Sequence, residues 1–181
     1  VKFSGADGSP AVQRWADLLV SEHLALESAA ALPGIEAASS RIVAHDGRTF
    51  LEVERFDRHG MFGRSRLSSL ATLNAALVGD ASTDWARLAT RFAAAGLLTP
   101  DDVRRIQHLW WFGRLIANTD MHTGNLSFRP HGTLTLAPAY DMLPMMYAPL
   151  RGGEVPVREF EPPLPPPPER VVWAAACEAA V

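Results

Sequence analysis

The stretch that most restricts the fold is residues 99–117. Thr99 followed by Pro100, Asp101 and Asp102 is a helix start: a hydroxyl N-cap, a proline at the first helical position, and acidic side chains at the positive end of the dipole. From there Ile106, Leu109, Trp110, Gly113 and Ile116 form an apolar stripe, which Trp111, Phe112 and Leu115 widen until little polar circumference remains. A helix apolar on most sides is buried by its neighbours. The spacing therefore predicts a helix over 100–117 at the centre of the molecule, with its large aromatic rings serving packing.

The elements that would cover it can be read on both sides. Residues 11–32 have helical periodicity, stopped by Pro33 and Gly34. Residues 41–44 and 49–56 flank Asp46-Gly47 and predict a hairpin with a two-residue turn. The polar stretch 57–66, with Gly60 and Gly63, precedes an Ala/Leu-rich region with helices near 68–78 and 83–95. A boundary is expected there, giving a small lobe over 1–60 and a helical lobe over 61–181. Residues 126–129 and 133–136 alternate as a second hairpin around Pro130, His131 and Gly132. Nine of the 14 prolines lie between 144 and 168, an extended segment read as a surface connector. Residues 171–181 read as a further helix.

Composition removes several classes of function. Sixteen Arg and one Lys against 20 acidic residues leave a formal charge of −3, so a binder driven by nucleic-acid phosphates is not expected. No apolar run approaches the roughly 18–20 residues that span a bilayer, and no membrane association is predicted. The single cysteine, Cys177, rules out an internal disulfide framework and fits a reducing compartment. The cytoplasm is the expected location. Both ends read as cut, which predicts a piece of a larger protein.

The densest polar cluster is residues 118–125, NTDMHTGN, set between the buried helix and the second hairpin. Asp141 leaves the strand whose partner begins just after Asn125, and paired strands lie about 4.8 Å apart. Asp120, Asn125 and Asp141 therefore converge at one hairpin mouth. Two carboxylates and an amide are hard oxygen ligands of the kind Mg²⁺ accepts together with phosphate oxygens. The alternative from the local pattern is that Asp120 and Asn125 cap turns. His122 lacks a second His at metal-ligand spacing and is read as structural rather than as a ligand.

A second pattern favours the metal–nucleotide reading. On the first helix Glu22 lies on the same face as Leu18, Leu19, Ala25 and Leu26, and a buried carboxylate needs a partner. The only lysine, Lys2, sits in a strand-like start just before that helix. A strand lysine held by a helix glutamate is how kinases aim an ammonium at nucleotide phosphates. The alternative is an exposed terminal lysine, with Glu27 the fallback partner should Glu22 lie off the face.

Residues 1–3 (VKF), 53–58 (VERFDR), 118–128 (NTDMHTGNLSF) and 136–141 (LAPAYD) resemble, in order and spacing, the signatures of the HipA-like serine/threonine kinases. The proline-rich stretch and residues 150–156 are more similar to the YjjJ-type branch. The resemblance implies an α+β, protein-kinase-like two-lobed fold with a partial small lobe and a mostly helical large lobe. It implies ATP and Mg²⁺ as cofactors and a Ser or Thr hydroxyl of a protein as acceptor. It further implies a toxin of a toxin–antitoxin pair, with an antitoxin protein as partner. Asp120 would handle the hydroxyl proton, Asn125 and Asp141 would hold Mg²⁺, and Lys2 would contact the α- and β-phosphates. Glu54 and Phe56 match the hinge that binds adenine through backbone groups. The glycine-rich loop of the family is not within this chain, and Met121 stands where many relatives carry Arg. Residues 120–125 alone also resemble aminoglycoside and choline kinases, so a small-molecule kinase is one alternative reading. A non-catalytic partner-binding domain is the other.

Overall fold

The structure, a computed structural model, describes residues 1–131 and 133–180. Gly132 and Val181 lie outside the described residues, and with Gly132 part of the turn expected between the strands of the second hairpin.

The chain opens with β1 (Lys2–Phe3) and α1 (Pro10–Ala29), followed by the hairpin β2 (Ser40–His45) and β3 (Arg48–Val53). Asp46 and Gly47 take φ of 46° and 70°, the two left-handed residues that a hairpin turn compatible with strand twist requires. The sheet runs β1-β3-β2, all antiparallel, with Lys2 opposite Leu51 and Leu51 opposite Ile42. Directly paired residues share a face, so Lys2 points with Leu51 and Ile42 toward α1, while Phe3, Phe50 and Val43 take the other face. Leu51 is fully buried, and Phe3 is exposed with its ring against Phe50.

Helix α1 starts on a Ser9 cap and Pro10, and it buries Leu18, Leu19, Glu22, Ala25, Leu26 and Ala29. It ends three residues earlier than periodicity predicts, because Ala31 and Leu32 turn back with shorter-range hydrogen bonds to Ser28 and Ala29. After β3 a small hairpin, β4 (Arg58–His59) and β5 (Gly63–Arg64), crosses the polar stretch where a boundary was expected.

Next come β6 (Ser68–Ser69), α2 (Leu70–Leu77), α3 (Trp85–Ala94) and α4 (Pro100–Leu115). Thr99 and Asp102 form a complete capping box at the start of α4, each side chain bonded to the other's backbone N–H at 3.1 Å. Ile106, Leu109, Trp111 and Phe112 are buried in a core that extends from Leu26 on α1 through Leu88 and Phe92 on α3 to Ala176. One expectation is corrected here. Trp110 is only half-buried and lines a cavity, so the aromatics of α4 are not all packing.

The second hairpin is β7 (Ser127–His131) and β8 (Thr133–Leu136), joined on the β7 side by β6. A parallel bridge stitches it to the segment before β2: Ala38 N–H donates to Ala139 O at 2.9 Å, and Ala139 N–H to Glu36 O at 2.8 Å. Residues 148–166 have no regular structure, and α5 (Arg170–Ala180) returns to pack on α4. There the Trp111 indole donates to Glu169 at 2.6 Å.

Replacing Thr99 by Ala removes the hydroxyl half of the capping box, leaving the residue-99 N–H on the Asp102 carboxylate, and is expected to lower stability by about 1 kcal/mol. Urea denaturation should show a lower midpoint with an unchanged slope.

Candidate functional site

Strand register puts Lys2 on the α1 face of the sheet, and helical phase puts Glu22 opposite it. The Lys2 ammonium donates to both Glu22 carboxylate oxygens at 2.8 Å and to Asp141 Oδ1 at 2.5 Å. The Glu22 side chain is 1% exposed, against 43% for Lys2 and 37% for Asp141. One end of the cluster is therefore dry and the other open to water. Glu27, the fallback, instead lies 3.8 Å from His23.

Burial works against the charge on Lys2, but its hydrogen bonds and the charges of Asp141 and Glu22 outweigh it and raise the ammonium pKa above 10.5. Burial also raises the Glu22 pKa, and the Lys2 ammonium pulls it only part of the way back. A dry carboxylate with one cationic partner behaves in this way.

The polar octapeptide begins where α4 ends. Ala117 has φ of 59°, and the Asn118 N–H returns to Gly113 O at 2.9 Å, closing the helix with an alanine where glycine is usual. The left-handed conformation costs a non-glycine residue roughly 1–2 kcal/mol. Asn118, which the sequence reading left without a role, is buried and connects two parts of the site. Its Oδ1 accepts from the Asp120 N–H at 3.0 Å, and its amide donates to the backbone O of Asp141 at 3.3 Å. Only the fold could reveal this, since residues 118 and 141 meet through tertiary structure. Asp141 is also left-handed, with φ of 54°.

Asp120 is exposed, with its backbone O held by the Asn125 amide at 3.0 Å. No hydrogen bond joins Asn125 to Asp141 among the described residues; Tyr140 connects the two segments by donating to Gly124 O at 2.9 Å and sharing 2.7 Å with the Ser127 hydroxyl. His122 Nδ1 accepts from the Gly124 N–H at 3.0 Å, and the His122 carbonyl takes the Trp85 indole N–H at 3.3 Å. The imidazole is thus engaged with its own loop. Met121 folds onto α4 at Gly113, where a Cβ would collide with its sulfur.

A cavity of about 330 Å³ opens beside the lysine cluster, lined by Lys2, Glu22, Glu54, Phe56, Tyr140 and Asp141 among others. The Phe56 and Tyr140 rings lie 6.0 Å apart. The Glu54 N–H is already donated to Ser39 O at 2.8 Å. What this segment can offer a ligand is therefore the Glu54 carbonyl and the Phe56 N–H, two residues apart. A second cavity of about 320 Å³ is lined by Lys2, Trp15, Glu22, Asp120 and Asp141. Among the described residues no three His, Cys, Asp or Glu side chains are grouped to hold a metal. An amide oxygen and a carboxylate are oxygen donors of the type Mg²⁺ takes, and Mg²⁺ needs few protein ligands because phosphate oxygens and water fill its octahedron.

The model of the HipA-like C-terminal domain matches residues 1–160. Toxin YjjJ of Escherichia coli (strain K12) is 39% identical over 155 residues, which is 84% of this chain and 34% of that protein. The chain thus spans about a third of the length of this curated relative. Among solved structures, a chain of the complex of HipA, HipB and operator DNA from the Shewanella oneidensis MR-1 toxin–antitoxin system matches with TM-score 0.56 and 22% identity, over 72% of this chain and 35% of that one. The proinflammatory kinase CtkA of Helicobacter pylori matches with TM-score 0.56 and 15% identity, over 70% of this chain and 48% of that one. At these identities the two structures speak to fold, and the fold is α+β and kinase-like.

Lys2→Met is expected to destabilise the protein by about 2 kcal/mol at pH 7, below the usual cost of orphaning a buried charge because Lys2 is half in water. The loss should shrink toward acid. Glu22 has a folded pKa raised above 4.5, so stability falls as pH rises through its window, and removing the ammonium moves that window up. Urea denaturation at pH 5 and pH 7 measures the difference, which Glu22→Gln should abolish.

Proposed function

Since the chain belongs to the HipA-like C-terminal domain family, we propose that it is the catalytic part of an ATP-dependent protein kinase that phosphorylates a Ser or Thr hydroxyl. The observation that carries this reading is the Lys2 ammonium, held by a dry Glu22 and reaching Asp141 at the mouth of the cavity that Glu54 and Phe56 close. In this reading residues 1–60 form the partial nucleotide lobe and 61–181 the helical lobe.

Adenine lies in the cavity that the Phe56 and Tyr140 rings wall, with the Glu54 carbonyl accepting and the Phe56 N–H donating. Lys2 keeps Glu22 and turns its third N–H from Asp141 to the α- and β-phosphates. Asn125 and Asp141 would hold Mg²⁺, which would supply charge neutralisation for the phosphates. The acceptor oxygen forms a bond to the γ-phosphorus as the bond to the β,γ-bridging oxygen breaks. ADP leaves, and the hydroxyl proton passes to Asp120. Asp120 is solvent-exposed and oriented by Asn118 and Asn125 through its backbone, which suits a group that must meet a second substrate. Positioning and charge compensation supply most of the acceleration in such transfers.

The relative named a toxin, and the solved complex with HipB and operator DNA, support a place in a toxin–antitoxin pair with an antitoxin protein as partner. No helix among the described residues is long and apolar enough to cross a membrane, and the proposed location is the cytoplasm.

Calorimetric titration with ATP tests the reading. Binding should require Mg²⁺, and Asp141→Asn should weaken it at least about tenfold, the scale of a lost charged contact. Equal affinity with and without the metal, or in the variant, would sink it. Asp120→Asn should lower phosphoryl transfer by about 10²–10⁴ while still binding Mg-ATP.

A further inference from the structure

A third cavity, of about 360 Å³, lies against the same loop and is lined by Trp110, Arg114, Asn118, Asp120, Met121 and His122, with Thr83 and Thr119 at its rim. It contains none of Lys2, Glu22, Glu54 or Asp141. Asp120 is the one residue it shares with the cavity that holds Lys2 and Asp141. A group bound here and a phosphate bound there would meet at the Asp120 carboxylate.

Arg114 gives this cavity its chemistry. Its guanidinium carbon lies 5.6 Å from the centroid of the Trp110 ring and 5.1 Å from that of Trp111, so the cation sits beside two indoles, and among the described residues none of its N–H groups has a hydrogen-bond partner. Elsewhere on α4, Arg104 pairs with Asp101 and Arg105 with Asp102. Arg114 has no carboxylate at ion-pair distance among the described residues. As a cation in the last turn it complements the helix dipole, a role that needs neither the indoles nor the cavity. An arginine at a cavity wall without an anion is suited to a carboxylate fork. His122 adds to this: its Nδ1 accepts from the Gly124 N–H, so the neutral ring carries its proton on Nε2 and can donate.

Resting on the kinase reading above, we propose that this cavity is the acceptor subsite and that Arg114 selects protein substrates carrying an Asp or Glu beside the phosphorylated Ser or Thr. A basic residue at the same place is repelled by Arg114, so selection works in both directions.

The test is phosphorylation of a Ser/Thr peptide library by the intact protein with radiolabelled ATP, alongside the Mg-ATP titration. Peptides with a flanking acid should be used about tenfold better than their amide counterparts, the scale of one charge-assisted contact. Arg114→Gln should flatten the preference, and Arg114→Glu should turn it toward Lys or Arg. An equal loss on all peptides with the preference intact would make Arg114 structural and overturn the proposal. So would transfer without preference, or no transfer to any peptide by protein that binds Mg-ATP, both of which leave the nucleotide site standing. Failure to bind Mg-ATP overturns the kinase reading itself, and the acceptor subsite with it.

Discussion

The rest of the site depends on one contact, the Lys2 ammonium on the buried Glu22 carboxylate. A carboxylate at 1% exposure stays ionised only beside a cation, and here the single lysine of the chain supplies it. That requirement fixes two periodicities at once. On α1 the phase must turn Glu22 toward the sheet, and in the sheet the register must turn Lys2 toward α1. A one-residue slip of β1 would present Phe3 in its place and leave Glu22 without a partner. The ion pair thus specifies strand register as well as joining helix to sheet. It also leaves one donor of the ammonium for Asp141, which ties the sheet to the hairpin that carries the metal-ligand candidates.

Backbone strain concentrates around the same residues. Of three non-glycine residues with positive φ, Asp46 makes the hairpin turn, and the other two, Ala117 and Asp141, flank the catalytic-loop candidates. The side chain of Asn118, the residue after Ala117, bonds the Asp120 N–H and the backbone O of Asp141. Residues held in costly conformations persist where the surroundings over-determine them, and they cluster at functional sites. Here the surroundings are the end of a buried helix, a hairpin already paired in register, and a buried amide that holds the Asp141 carbonyl.

What could be read from the residues alone follows from the range of each interaction. The turn at Asp46-Gly47, the capping box at Thr99 and the phase of Glu22 are local patterns, decided within one or two turns of chain. The pairing of β6 with β7 joins Ser68 to Phe128 through two residues on the β6 side, too short a strand to mark itself. The buried role of Asn118 depends on a partner 23 positions away. Trp110 looked like packing because periodicity describes a helix by itself, and whether a neighbour covers each face is a property of the fold. Glu54 was placed in the hinge as a residue, but which of its backbone groups is free was set by Ser39, which no motif records.

The parallel stitch between Ala38 and Ala139 has a mechanical consequence. It lies two residues before Ser40, the first residue of β2, and two before Asp141, one of the two proposed metal ligands. A rotation of the small sheet against β7 and β8 that preserves these two hydrogen bonds has its axis beside Asp141. Points near an axis travel least, so such a rotation displaces the far end of the sheet while Asp141 stays almost still. The cleft could then open and shut like a door hung on the jamb that carries the latch.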